Sequence, residues 1–129
     1  MATAITCTAL LGLLVFGLGL AVSLTRGRTG TISGSAADPA DPLHKMVRAH
    51  GNATEYAAML SVLILLIGSR EPTTWVLWTM WIAVASRYLH AAGMIFCSTL
   101  AQPHPLRFVG ALGTYLAGLA LCVAAFRLV

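Results

Sequence analysis

Charged residues are scarce in this sequence. Asp, Glu, Lys and Arg make up 9% of its 129 residues, whereas soluble domains carry about 25%. That is too little polar surface to cover a water-facing protein. Apolar residues reach 58% and the mean hydropathy is +0.84. The alternative solvent is lipid, in which a spanning helix needs about 20 mostly apolar residues. Four such stretches and their connections use nearly the whole chain and leave no separate soluble domain.

The charge distribution, the cysteine spacing and the N-terminal segment exclude further classes of protein. The formal charge is +4, from eight basic and four acidic residues. Several basic residues lie inside apolar stretches rather than in one basic run, which argues against nucleic acid as a partner. Cys7, Cys97 and Cys122 are far apart and lack metal-ligand spacing, so we predict no metal site. No basic residue precedes the first apolar run, which is long for a signal peptide, and we interpret it as a retained helix.

The chain divides into four predicted helices and one polar connector. We place the helices at about residues 3–24, 42–68, 73–100 and 106–129, and a connector rich in Gly, Ser, Thr, Asp and Pro at 26–41. Asp41 followed by Pro42 predicts an N-cap and a first-turn proline. Because the other connections are short, we predict a single all-α domain over residues 1–129, a membrane-spanning four-helix up-down bundle.

Basic residues near the helix ends predict the orientation of the bundle. Five lie at the first and third connectors and two at the opposite end: Arg26, Arg28, Lys45, Arg48 and Arg107 against Arg70 and Arg127. The positive-inside rule then places connectors 1 and 3 in the cytoplasm and both termini outside.

The first half of helix 2 is polar on one face. Arg48, Asn52 and Glu55 are spaced i, i+4 and i+7, and Tyr56 adjoins them. Ionisable groups at membrane depth are costly, so each must have a partner or face water. One interpretation is a ligand site. The other is a buried ion pair of Glu55 with Arg48 or Arg87 that only holds the helices in register.

Helices 3 and 4 add further polar groups on the same side of the membrane. Arg87 and His90 are spaced i and i+3, and Arg107 begins helix 4 near the place where helix 2 starts. We therefore expect the two sets to converge in the half of the bundle near connectors 1 and 3. Their guanidinium, carboxylate, amide, imidazole and phenol groups suit an anionic or zwitterionic ligand.

Three segments resemble the MAPEG family, the membrane-associated proteins in eicosanoid and glutathione metabolism. The run from Arg48 to Tyr56, R-A-H-G-N-A-T-E-Y, is similar to the family's helix 2 signature in the form of its small bacterial members. R-Y-L-H at residues 87–90 resembles the helix 3 motif, and H-P-L-R at 104–107 is similar to the segment that leads into helix 4. The resemblance covers the chain from about Leu43 onward.

The resemblance implies a homotrimer in the bacterial inner membrane, with sites for glutathione or another low-molecular-weight thiol between neighbouring subunits, open to the cytoplasm. It also implies a transferase or peroxidase that acts on lipophilic electrophiles from the bilayer. Arg107 matches the arginine that holds the catalytic thiolate, and Glu55 would take the amino group of the thiol cosubstrate. By position, the implied cosubstrate-binding residues are Arg48, Asn52, Glu55, Tyr56, Arg87 and His90.

Two positions depart from the family pattern. Catalytic members carry a tyrosine seven residues after the helix 3 arginine, where this chain has Met94. The prostaglandin E synthase branch has a serine after the helix 4 arginine, where this chain has Phe108. These departures bear on catalysis more than on fold, and they leave open a non-catalytic membrane subunit or scaffold whose polar cluster serves assembly. A small transporter ranks last, because the sequence has no acidic ring, broken helix or repeat.

Overall fold

Four helices account for most of the chain in the computed structural model, which describes residues 1–128. They are α1 (Ala2–Thr29), α2 (Pro42–Gly68), α3 (Thr74–Ile95) and α4 (Pro105–Phe126), and no strand occurs in the described residues. The predicted all-α four-helix bundle is confirmed. The prediction extended helix 4 to residue 129, but α4 ends at Phe126 and Arg127 is its C-cap. Val129 lies outside the described residues.

The start of α2 follows from its cap. The side chain of Asp41 accepts a hydrogen bond from the backbone N–H of His44 at 2.7 Å, and Pro42 occupies the first turn. The cap satisfies one of the N–H groups that a helix start leaves free, and proline costs nothing at that position. The predicted bounds of α2, 42–68, agree with the structure.

α1 is longer than predicted, because it continues to Thr29 rather than ending near Leu24. The apolar run ends at residue 24, but the helix ends where Gly30 adopts a left-handed conformation (φ 67°) and its N–H bonds to the carbonyl of Arg26. Arg26 and Arg28 in the last turn also suit the negative end of the helix dipole. Hydropathy therefore marked the end of the lipid-facing part, not the end of the helix.

α3 is shorter than predicted, since it ends at Ile95 rather than near Leu100. The N–H of Leu100 donates to the carbonyl of Pro39 in the first connector, at 2.9 Å, instead of to a carbonyl of its own helix. Lys45 Nζ likewise donates to the carbonyl of Cys97 at 2.9 Å. These contacts join connectors 1 and 3, which therefore lie at the same end of the bundle.

α2 and α3 form the middle of the bundle. α3 contacts each of the other helices, its largest interface is with α4, and α1 and α4 do not contact each other. Tyr88 joins α3 to α1, because its hydroxyl donates a hydrogen bond to the carbonyl of Leu10 at 2.9 Å. The core therefore lies along α2 and α3, with α1 and α4 on either side.

Three helices, α1, α2 and α4, are long and apolar enough to cross a membrane by length and composition. α3 falls outside that group because Arg87, His90 and other polar residues interrupt its apolar sequence. A bundle in which α2 spans the membrane has α3 spanning as well, because α3 returns from the far end of α2 to the end where connectors 1 and 3 meet. Large apolar side chains cover the outer surface, among them Phe16 and Phe126, which are 80% and 79% exposed. Such a surface suits lipid.

Glycines allow α3 and α4 to approach closely. A Cβ atom at Gly110 would lie 2.5 Å from the backbone nitrogen of His90, and one at Gly93 would lie 2.7 Å from the backbone nitrogen of Arg107. The atoms in the way are backbone, so they cannot move aside as a flexible side chain does. Small residues at helix contacts are the usual means of close packing in lipid.

We therefore predict that Gly110→Ala lowers the thermal stability of the purified protein, because α3 and α4 must separate to admit the new methyl group. Overpacking of this kind typically costs about 1–3 kcal/mol. Gly12→Ala is the matched control, since nothing lies within 4 Å of a Cβ at Gly12. Thermal unfolding followed by circular dichroism in detergent measures both variants. Equal melting temperatures for the two would contradict the proposed close contact.

Candidate functional site

Arg87 is the centre of the polar cluster between the helices. It lies on α3 and is only 2% exposed. Its Nη2 donates to the side-chain oxygen of Asn52 at 2.6 Å and to the backbone carbonyl of Asn52 at 3.2 Å. Hydrogen bonds to a charged group are stronger than neutral ones, so this contact joins α2 to α3 firmly. Two of the predicted site residues are thus in direct contact.

Tyr56 packs against the same guanidinium. The Arg87 Cζ atom lies 4.8 Å from the centroid of the Tyr56 ring. A cation over an aromatic face is stabilised electrostatically, and more so away from water. Asn52 and Tyr56 are one helical turn apart on α2, so a single face of that helix supplies both partners. The spacing seen in the sequence therefore does bring these residues to one cation.

The charge of Arg87 has no carboxylate against it. Both of its hydrogen bonds within residues 1–128 go to Asn52, and its Nε atom is buried without a partner. Glu55, the nearest candidate on α2, is exposed. Within residues 1–128, therefore, Arg87 does not form the ion pair with Glu55 that was the other interpretation of the sequence. A buried cation without an anion is costly, so a negative group from outside the described chain would stabilise it.

Arg48 and Glu55 lie on the outer surface of α2. Both are exposed, while Ala49, Ala53 and Ala57 of the same helix are buried in the bundle. The described chain therefore brings Asn52, Tyr56 and Arg87 together but leaves these two charges beside the cluster. Their positions on α2 put them within a few turns of Asn52, on the side open to lipid or to another molecule.

A second cluster lies one turn after Arg87 on α3, where His90 contacts Arg107 of α4. His90 Nδ1 lies 2.9 Å from the backbone carbonyl of Arg107. Because a carbonyl only accepts, Nδ1 carries the proton, and Nε2 of the neutral imidazole is left as an acceptor. Both residues line an open cavity of about 260 Å³ together with His104 and Phe108.

The Arg107 guanidinium is engaged with the third connector. Its Nη1 donates to the carbonyls of Leu100 and Gln102, each at 3.1 Å. A guanidinium has five N–H groups, so those on Nε and Nη2 take no part in these two bonds. The expected convergence of all the arginines is thus only partial, since Arg107 belongs to the second cluster and Arg87 to the first.

Tyr115 is a residue of the first cluster that the sequence did not indicate. It lies on α4, and its hydroxyl is 3.4 Å from the hydroxyl of Tyr56, with ring centroids 6.0 Å apart. The sequence offers only a weak indication of this role, since Tyr115 is a single phenol midway along an apolar helix. Only the packing of α4 against α2 and α3 places it near Arg87.

Within residues 1–128 no three His, Cys, Asp or Glu side chains are grouped so that they could hold a metal ion.

The fold and the two clusters define a class, namely small multi-pass membrane bundles with buried polar sites between their helices. The sequence profile of the MAPEG family matches residues 4–127. The chain belongs to the MAPEG family. Comparison with curated proteins and with solved structures finds no match in either set. Membership supports an integral membrane protein of a glutathione-linked family of transferase or peroxidase type.

We predict that Asn52→Ala destabilises the bundle, because it removes the 2.6 Å partner of a buried guanidinium. The expected loss in the free energy of unfolding is about 1–3 kcal/mol. Thr54→Ala is the control, since Thr54 is exposed on the same helix. Thermal or denaturant unfolding in detergent measures the difference. If the two variants unfold alike, the Arg87–Asn52 contact does not hold α2 to α3.

Proposed function

We propose that this protein is a membrane-embedded enzyme that uses glutathione, or another low-molecular-weight thiol, to attack lipophilic electrophiles. The observation that carries the proposal is Arg87, a cation 2% exposed that no carboxylate of the described chain contacts. A thiol peptide with free carboxylates supplies the missing negative charge. Arginine binds carboxylates in a forked geometry, which favours a carboxylate as the ligand group.

The remaining cosubstrate contacts follow from the surface of α2. Arg48 and Glu55 flank the cluster and are exposed, so they are accessible to a ligand. In the proposed site, Arg48 contacts a carboxylate, Glu55 takes the ammonium group, and Asn52 and Tyr56 complete the pocket. His90, one turn from Arg87, contacts the cosubstrate from α3. These assignments follow the family pattern, and the exposed positions suit a site shared by two neighbouring subunits of a homotrimer.

Arg107 is the proposed catalytic residue. A free thiol has a pKa of about 8.5 and is mostly protonated at neutral pH, and an adjacent cation lowers that pKa. The thiolate is the nucleophile. Arg107 has its Nε and Nη2 groups outside the two loop hydrogen bonds, and it lines an open cavity with His90. The lipophilic electrophile would enter from the bilayer, which explains a site within the membrane.

The expected result with glutathione is saturable binding that Arg48→Ala and Glu55→Gln each weaken about 10- to 100-fold, because each removes a hydrogen bond between charged groups. Isothermal titration calorimetry on the purified protein in detergent measures the affinity. Arg70→Ala and Glu71→Gln are the matched controls, since both residues lie in the turn between α2 and α3 at the opposite end of the bundle. Neither control should change binding. A wild-type protein that binds no low-molecular-weight thiol would refute the enzyme proposal.

A non-catalytic membrane subunit is the second candidate. It is favoured by Met94, which is buried at 6% exposure where catalytic relatives carry a tyrosine, and by Phe108, which is 69% exposed beside Arg107. Under this candidate the cluster serves assembly alone. Arg87→Leu would then dissociate the oligomer, and no thiol would add to a generic electrophile. Size-exclusion chromatography with light scattering, run beside a conjugation assay, separates the two candidates.

We further propose that connectors 1 and 3 face the cytoplasm of a bacterial inner membrane and that both termini lie outside. The basic residues concentrate at that end, and the hydrogen bond from the Leu100 N–H to the Pro39 carbonyl joins the two connectors. In a bacterial host, alkaline phosphatase fused after the full chain should be active, because that enzyme matures only outside the cytoplasm. Green fluorescent protein at the same position should be dark. The reverse pattern would invert the topology.

A further inference from the structure

Tyr115 stands out on the surface of α4. It is 52% exposed, and its neighbours on that face are apolar, among them Leu112, Leu116 and Leu119. It is the eleventh of the 22 residues of a helix apolar enough to cross a membrane, so it lies near the middle of the span. Tyrosine usually occupies the membrane interface, where its hydroxyl meets water. A hydroxyl at mid-depth needs a partner instead.

The partner within the chain is a weak one. The hydroxyls of Tyr56 and Tyr115 are 3.4 Å apart, longer than the roughly 2.7–2.8 Å typical of a hydroxyl pair. Only one of the two hydrogens can lie between the oxygens, so the other remains available to donate. Tyr56 stacks on the Arg87 guanidinium at 4.8 Å. The unused donor is therefore next to a buried cation that lacks an anion.

One explanation accounts for both the mid-membrane position of the Tyr115 hydroxyl and the missing anion at Arg87. We propose that Tyr115 is a binding residue of the thiol site, donating a hydrogen bond from α4 to the carboxylate that Arg87 attracts. The inference rests on the proposed function. It concerns a residue outside the sequence motifs, and it extends the site from α2 and α3 to α4.

The proposal also identifies which carboxylate is bound. Glu55, the proposed partner of the ammonium group, follows Asn52 by three residues on α2, so their side chains are neighbours on the helix surface. Asn52 bonds to Arg87 at 2.6 Å, so the ammonium and the carboxylate at Arg87 would be neighbours in the proposed site. In glutathione the carboxylate next to the ammonium is the α-carboxylate of the γ-glutamyl unit. Tyr115 therefore recognises the amino-acid end of the cosubstrate, while the glycine carboxylate at the other end is bound elsewhere.

The test compares Tyr115→Phe with the wild type against three ligands, by calorimetry on the intact oligomer. The ligands are glutathione, its glycine monoethyl ester, and γ-aminobutyryl-cysteinylglycine, which lacks only the α-carboxylate. Loss of a hydrogen bond to a charged group should weaken glutathione and its ester by about tenfold or more. The analogue without the α-carboxylate should bind the variant and the wild type equally, because the bond in question is absent from both complexes.

Tyr88→Phe is the matched control, because it also deletes one phenol hydroxyl, but one that donates to the Leu10 carbonyl inside the bundle. It should lower the melting temperature and leave the ligand preferences unchanged. Tyr115→Phe with wild-type affinity for glutathione overturns the inference alone, as does a variant that loses all three ligands equally or only dissociates the oligomer. If the wild type binds none of the three thiols, the proposed function fails as well.

Discussion

The structure as a whole depends on the burial of the Arg87 guanidinium, because removing this cation from water costs free energy that contacts from neighbouring helices must offset. An ionised group inside a membrane bundle must find hydrogen-bond acceptors and a polarisable surface within the protein. Asn52 supplies the acceptors at 2.6 and 3.2 Å, and the Tyr56 ring covers the cation at 4.8 Å. These contacts hold α2 to α3 and leave one requirement unmet, a negative charge. The unmet requirement is the basis on which we propose that the cluster binds a ligand as well as joining the helices.

Close packing of α3 and α4 meets the second condition, which is to keep lipid and water away from the cation. Gly93 and Gly110 bring the two backbones together, and the carbonyl of Arg107 then reaches the ring of His90 at 2.9 Å. The same approach brings Tyr115 beside Tyr56. Stability and site geometry therefore depend on the same small residues, because any side chain there would push α4 outward.

Under the proposed function, the two polar clusters have separate tasks. The cluster at Arg87 lies deep in the bundle and suits the charged end of a peptide. The cluster at His90 and Arg107 borders an open cavity near the third connector, where Phe108 is exposed. Under that proposal, a charged cosubstrate and a lipophilic electrophile would enter from different phases and meet beside α3.

The sequence by itself determined the all-α membrane bundle, the bounds of α2 and the polar face of its first half, because hydropathy, capping and i to i+4 spacing are local properties. It also indicated Asn52, Tyr56 and Arg87 as site residues, because polar groups at membrane depth need partners. Tertiary structure alone decided that Arg87 bonds to Asn52 rather than to Glu55 and that Arg107 turns to the third connector. It alone placed Tyr115 beside Tyr56. Those outcomes depend on distances between helices remote in sequence, and such distances are set by glycine contacts and connector hydrogen bonds that no local pattern encodes.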